Sequence, residues 1–188
     1  MVSNVLKAFE FDQATAISAM LYIVSRLEDP TFHRIAKIMY FADRCHLERY
    51  GRFVFGGSYR AYPYGPVPQN VYGMLKAAEN KPGGQSTEGP FRVRRGQNTG
   101  QNPVVEALAE PNLDLLSESD LECLNESLAT WGGKPFGQLT EASHDAAWTA
   151  AFERKTGSQK TAEITLEDFL ASLENGGALL EHLRNPHP

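Results

Sequence analysis

Between Asp12 and Leu27 the apolar residues Ile17, Met20, Leu21, Val24 and Leu27 recur three or four positions apart, the spacing of one helix face, and Asp12 stands where an N-cap belongs. Ala16, Ala19, Tyr22 and Ile23 make the other faces apolar too, as in a helix central to its domain. A second helix has both ends marked. Thr31, after Pro30, caps its start, and Gly51 supplies the left-handed residue that closes it. Phe32, Ile35, Ala36, Met39 and Ala42 form its inward stripe. His33, Lys37, Tyr40 and Arg44 share another face, expected to be solvated and to lie beside the aromatic segment that follows.

That segment, YGRFVFGGSYRAYPYGPVPQN (Tyr50–Asn70), concentrates tyrosine, glycine and proline. Phe53, Val54 and Phe55, then Tyr59 to Tyr62, predict two short strands around Gly56-Gly57. Pro63 ends the second, and Pro66 or Pro68 fits the first turn of a third helix, QNVYGMLKAAEN. KPGGQSTEGP is a loop. FRVRR and PVVEALA flank GQNTGQN as a second hairpin. Ser117 or Ser119 caps a fourth helix that Gly132-Gly133 ends. A short helix and a turn carrying His144 and Trp148 follow, then a polar linker. Thr165 caps LEDFLASLEN, whose stripe is Leu166, Phe169, Leu170 and Leu173, and Gly176-Gly177 precedes ALLEHLRN. The pattern predicts a mainly helical α+β fold: a compact helical domain with two small antiparallel β-hairpins over residues 1–150, and a helical appendage, 151–188, that packs on it or contacts a partner.

At 188 residues the chain can bury a full core. It has no apolar run long enough to span a bilayer, and its start, MVSNVLKAFEF, lacks a signal pattern, so a cytoplasmic location with no membrane contact is expected. Net charge is −5, but residues 1–95 carry 13 Lys+Arg against 8 Asp+Glu and residues 96–188 carry 5 against 15. Between Arg95 and Lys134 there are seven acids, Glu106, Glu110, Asp114, Glu118, Asp120, Glu122 and Glu126, and no Lys or Arg. The stretch is either a solvated face or a surface for a basic partner.

No phosphate-binding loop, nucleophile elbow, HExxH or CxxC spacing occurs, so no cofactor and no metal are expected. Cys45 and Cys123 suit reduced buried thiols; a disulfide or a nucleophile is the sharper alternative. Asp43 and His46, at i and i+3, could form an acid–base dyad or a structural pair. Arg92, Arg94 and Arg95 could touch phosphates or guard an edge strand, although no helix-turn-helix pattern supports DNA binding. Tyrosines combine large apolar area with a polar tip, which suits a protein interface as well as a packed corner.

One resemblance runs through these residues. Tyr40, Phe41, Ala42, Asp43, His46, Leu47, Tyr50, Gly51, Tyr59, Ala61, Gly65, Pro66, Val67 and Tyr72 follow the pattern of the Panacea domain of SocA-like antitoxins, and Leu139, Thr140, His144 and Trp148 are similar to its later part. The likeness is closest over Lys37–Lys76 and extends from Asp12 to Trp148. It implies a non-enzymatic antitoxin of a bacterial or phage type II toxin–antitoxin pair that binds and neutralises a cognate protein toxin from the adjacent gene. The alternatives are an adaptor that delivers the toxin to a protease, and a small enzyme using Asp43 and His46. On this reading Gly51, Gly56, Gly57, Gly65 and Pro66 are turn architecture. Lys37, Tyr40, Asp43, His46 and the exposed members among Tyr59, Tyr62, Tyr64 and Tyr72 contact the partner. The acidic half and the terminal stripe are candidates for a second contact.

Overall fold

The computed structural model describes residues 9–79, 89–95 and 102–184. Helices α1 (Gln13–Val24) and α2 (Phe32–Tyr50) begin at the caps the sequence marks: Asp12 accepts from the Thr15 N–H and Thr31 from the Arg34 N–H. Gly51 closes α2 in the left-handed region, at φ 71°. From Phe32 to Leu47, α2 is buried on nearly every face. Helix α1, helix α4 (Glu118–Trp131), helix α5 (Phe136–Ser143) and a small sheet all pack against it.

That sheet differs from the predicted hairpin. Its strands are β1 (Tyr59–Tyr62) and β2 (Gly65–Pro68), antiparallel, with Tyr59 opposite Pro68 and Tyr62 opposite Gly65. Phe53–Phe55 form no strand. All three are buried, so they offer no outward face to alternate. Gly56-Gly57 turn the run against residues 9–12 instead: Phe55 O accepts from the Asp12 N–H and Phe9 O from the Gly57 N–H. Pro66 and Pro68 lie in β2, not in the following helix, because an edge strand tolerates residues without an N–H. Helix α3 (Gln69–Glu79) follows at once. The second hairpin is as predicted, β3 (Phe91–Arg94) against β4 (Val104–Ala107), while most of its GQNTGQN turn and of KPGGQSTEGP lies outside the described residues.

Ser117, not Ser119, caps α4, in a capping box with Asp120. After α5 comes α6 (Ala146–Glu153), so Trp148 sits on a helix and not in a turn. The polar linker then leads into an unpredicted strand, β5 (Ala162–Ile164), on the other edge of β1, giving the order β2-β1-β5. A capping box of Thr165 with Asp168 opens α7 (Leu166–Ala171), and α8 (Gly176–Arg184) follows.

Ile164, Phe169, Leu170 and Leu173, all beyond residue 151, therefore belong to the core. Phe169 lies 5.6 Å from Tyr40, 5.1 Å from Phe53 and 5.5 Å from Tyr59, ring centre to ring centre. With Phe169, Leu170 and Leu173 buried, the terminal stripe docks on its own domain and is spent as a partner surface.

Candidate functional site

The turn Tyr62–Pro63–Tyr64–Gly65 joins β1 to β2, and side chains from α2 and α6 hold carbonyls of the turn and of the first residues of β2. Trp148 Nε1 donates to Tyr62 O at 2.9 Å. His144 is stacked on Trp148 at 3.6 Å, close to the Pro63 backbone. His33 lies close to the Tyr64 backbone, and its Nε2 faces Thr140 Oγ1 at 3.1 Å. Lys37 Nζ donates to Pro66 O at 2.9 Å. A carbonyl only accepts, so Trp148 and Lys37 are the donors here. Both imidazoles beside the turn are favoured as neutral rings. Burial, helped by the nearby Lys37, lowers His33 to about 4 and lowers His144 as well.

Gly65 makes room for the grip. Its φ is +101°, and a Cβ there would fall 2.3 Å from Ser143 Oγ and 2.7 Å from Lys37 Nζ. Alanine at this position combines backbone strain with a clash, so Gly65→Ala is expected to cost about 2–3 kcal/mol in urea unfolding. A variant with the wild-type midpoint would contradict this packing.

Burial also pushes Lys37 down to about 7. The unfolded chain keeps its lysine protonated up to about pH 10. Between those values the unfolded state binds a proton that the folded state has released, so this group makes stability rise with pH above about 7. The wild type is thus expected to gain on Lys37→Met between about pH 7 and pH 9 in parallel urea titrations. A gap between the two that stays constant would show that Lys37 remains charged inside the fold.

What the turn displays is aromatic. Tyr64 is 63% exposed and Phe136, at the start of α5, is 44% exposed. Their rings meet edge to face at 5.6 Å, and Phe136 stacks on His33 at 3.9 Å. Tyr62 and Tyr72, half-buried, pair at 6.1 Å, and Tyr72 meets Phe32 at 6.3 Å. Lys76, paired with Glu79 at 2.7 Å, lies 5.5 Å from the Phe32 ring and 5.6 Å from the Tyr72 ring. Together they line a groove of about 300 Å³. Of the residues expected at a partner surface, Tyr62, Tyr64 and Tyr72 are here. Phe136 was not among them, since a lone Phe after Pro135 carries no signal of its own.

The other five are corrected by burial. Lys37, Tyr40, Asp43, His46 and Tyr59 are all within 1% of full burial and cannot be touched on this folded surface. The face of α2 that looked solvated is covered at Lys37 by β2 and at Tyr40 by Tyr59 of β1, Phe169 of α7 and Asp145. Tyr40 donates to Asp145 Oδ2 at 2.6 Å. Asp43 accepts from the Val54 N–H at 2.7 Å and from Tyr59 Oη at 2.9 Å. His46 lies between Arg52 O, Ser119 Oγ and Asp120 Oδ1, each at 3.0 Å. Burial works against the Asp120 carboxylate, yet His46, Ser117 and Arg52 hold it down to about 2. Asp43 and His46 therefore serve different networks, and the described contacts include no bond between them.

Charge is answered internally. Arg92 grips Glu106 at 2.8 and 2.6 Å, Arg94 pairs with the same carboxylate, and Arg95 Nε reaches Glu79 at 3.1 Å. The arginine hairpin is thus committed to carboxylates, which weakens a phosphate role. Within the acidic stretch, Glu106, Asp120, Glu122 and Glu126 have partners in Arg92, Arg52 and Arg49. Among the described residues no cluster of three or more His, Cys, Asp or Glu could hold a metal, and no helix is long and apolar enough to cross a membrane.

The family model described as antitoxin SocA-like, Panacea domain, matches residues 35–149. The matched span runs from α2 through the tyrosine turn to Trp148, so it contains Lys37 and Trp148 of the grip and His144 beside it. No curated protein and no solved structure matches the chain.

Proposed function

Because the chain belongs to the SocA-like antitoxins with a Panacea domain, we propose that it binds and neutralises one cognate protein toxin, encoded by the adjacent gene of a type II pair, and that Tyr62, Tyr64, Tyr72 and Phe136 form the contact. The observation that carries the site is the exposed Tyr64–Phe136 pair beside a backbone held by Trp148 and Lys37. Large rings already held in place lose little entropy on docking and offer wide apolar area, which is the chemistry of interface hot spots. In this reading the protein acts in the cytoplasm and does no catalysis: Asp43 and His46 are spent on holding the core. Neutralisation follows from occupancy, by covering the toxin's working surface or holding it inactive.

Co-expression tests this. The neighbouring gene is expressed alone and with this chain, and growth, toxin level and co-purification are followed. Rescue with a stable complex is the expected result. Rescue with disappearance of the toxin would replace direct neutralisation by delivery to a protease. Absence of rescue would overturn the antitoxin reading.

A further inference from the structure

The chain has two cysteines, and the fold brings them together from 78 positions apart. Cys45 on α2 and Cys123 on α4 are free thiols in direct contact, Sγ to Sγ 2.7 Å. Cys123 is fully buried, whereas Cys45 is partly open to solvent. The pair lies in the α2–α4 seam, next to the bridges from Arg49 to Glu122 at 2.9 Å and Glu126 at 2.7 Å. Neither thiol belongs to the turn grip or to the aromatic groove.

We propose that Cys45 and Cys123 form a redox site, at which a two-electron oxidant such as a peroxide joins them into a reversible α2–α4 crosslink. Cys45, the reachable thiol, attacks one peroxide oxygen. The O–O bond breaks, water leaves, and Cys45 becomes a sulfenic acid. The Cys123 sulfur then attacks the Cys45 sulfur, the S–O bond breaks, and a second water leaves with the Cys123 proton. Two thiols lose two electrons and peroxide becomes two waters. Burial is the main cause that holds both thiols above their usual range; contact with Cys45 raises Cys123 further, whereas contact with Cys123 opposes the rise at Cys45, and Arg49 opposes it at both. The crosslink therefore forms slowly at neutral pH, where thiolate is scarce. Once formed, it closes a long loop, restricts the unfolded chain and stabilises the fold.

The test uses the purified full chain, first reduced with dithiothreitol and then exposed to hydrogen peroxide. Expected are a monomer lighter by two hydrogens, one non-reduced peptide pair containing Cys45 and Cys123, and a Tm higher by about 5–10 °C, all reversed by dithiothreitol. C45S and C123S are each expected to lose the mass change and the Tm gain. The mass and peptide readouts on the wild type stand even if a variant folds poorly. The proposal is overturned if both thiols of the oxidised protein still react with a maleimide, or if oxidation yields only oxygen adducts or dimers between chains.

Discussion

Asp43→Ala is expected to remove about 3–5 kcal/mol of stability, enough to leave a domain of ordinary stability largely unfolded at growth temperature. Asp43 is fully buried where α2, the Phe53–Phe55 run and β1 meet. Alanine would orphan the Val54 N–H and the Tyr59 hydroxyl, each costing about 1–3 kcal/mol, and would leave a small cavity. Burial raises the Asp43 carboxyl to about 8, against the bonds from Tyr59, Val54 and Phe55. At neutral pH the folded protein thus holds a proton that the unfolded chain has released, since a free aspartate titrates at about 4. The stability this group contributes is fullest below about pH 4 and falls as pH rises towards 8. Asp43→Asn keeps an acceptor for Val54 and stays neutral, so it is expected to cost only about 1 kcal/mol at pH 7 and to lack that slope. Urea unfolding of the wild type and both variants at pH 5 and pH 7.5 decides it. An alanine variant as stable as the wild type would show that the buried carboxyl is dispensable.

The second large effect is on binding. Tyr64→Ala with Phe136→Ala is expected to weaken the toxin complex by about 4 kcal/mol, roughly a thousandfold in Kd, with an unchanged Tm. Both rings are substantially exposed in the free protein, so their removal exposes little core. The clamp donors bond the turn backbone, which the variant retains. Affinity by calorimetry beside a thermal melt separates the outcomes. Full affinity in the double variant would move the contact to another face. Loss of both affinity and Tm would make the rings structural.

The chain by itself determined the features that depend on near neighbours. The caps Asp12, Thr31 and Thr165, the closing Gly51 and the β3–β4 hairpin follow from short-range hydrogen bonds and side-chain periodicity, which a few consecutive residues specify. The Panacea pattern was legible too, because its residues cluster within one helix and the turn after it. Tertiary structure decided what those residues do. Lys37 and Tyr40 sit on a helix face that local periodicity assigns to solvent, yet β2 covers Lys37, and Tyr59 and Phe169 cover Tyr40. Phe53–Phe55 have good strand residues but found their backbone partners at residues 9–12, while β1 found two others, one of them beyond residue 160. The grip on the tyrosine turn joins Trp148 to Tyr62 across 86 positions, and His33 meets Thr140 across 107. Hydrogen bonds across such separations depend on how whole elements pack, and periodicity within one element holds no record of which face another will cover.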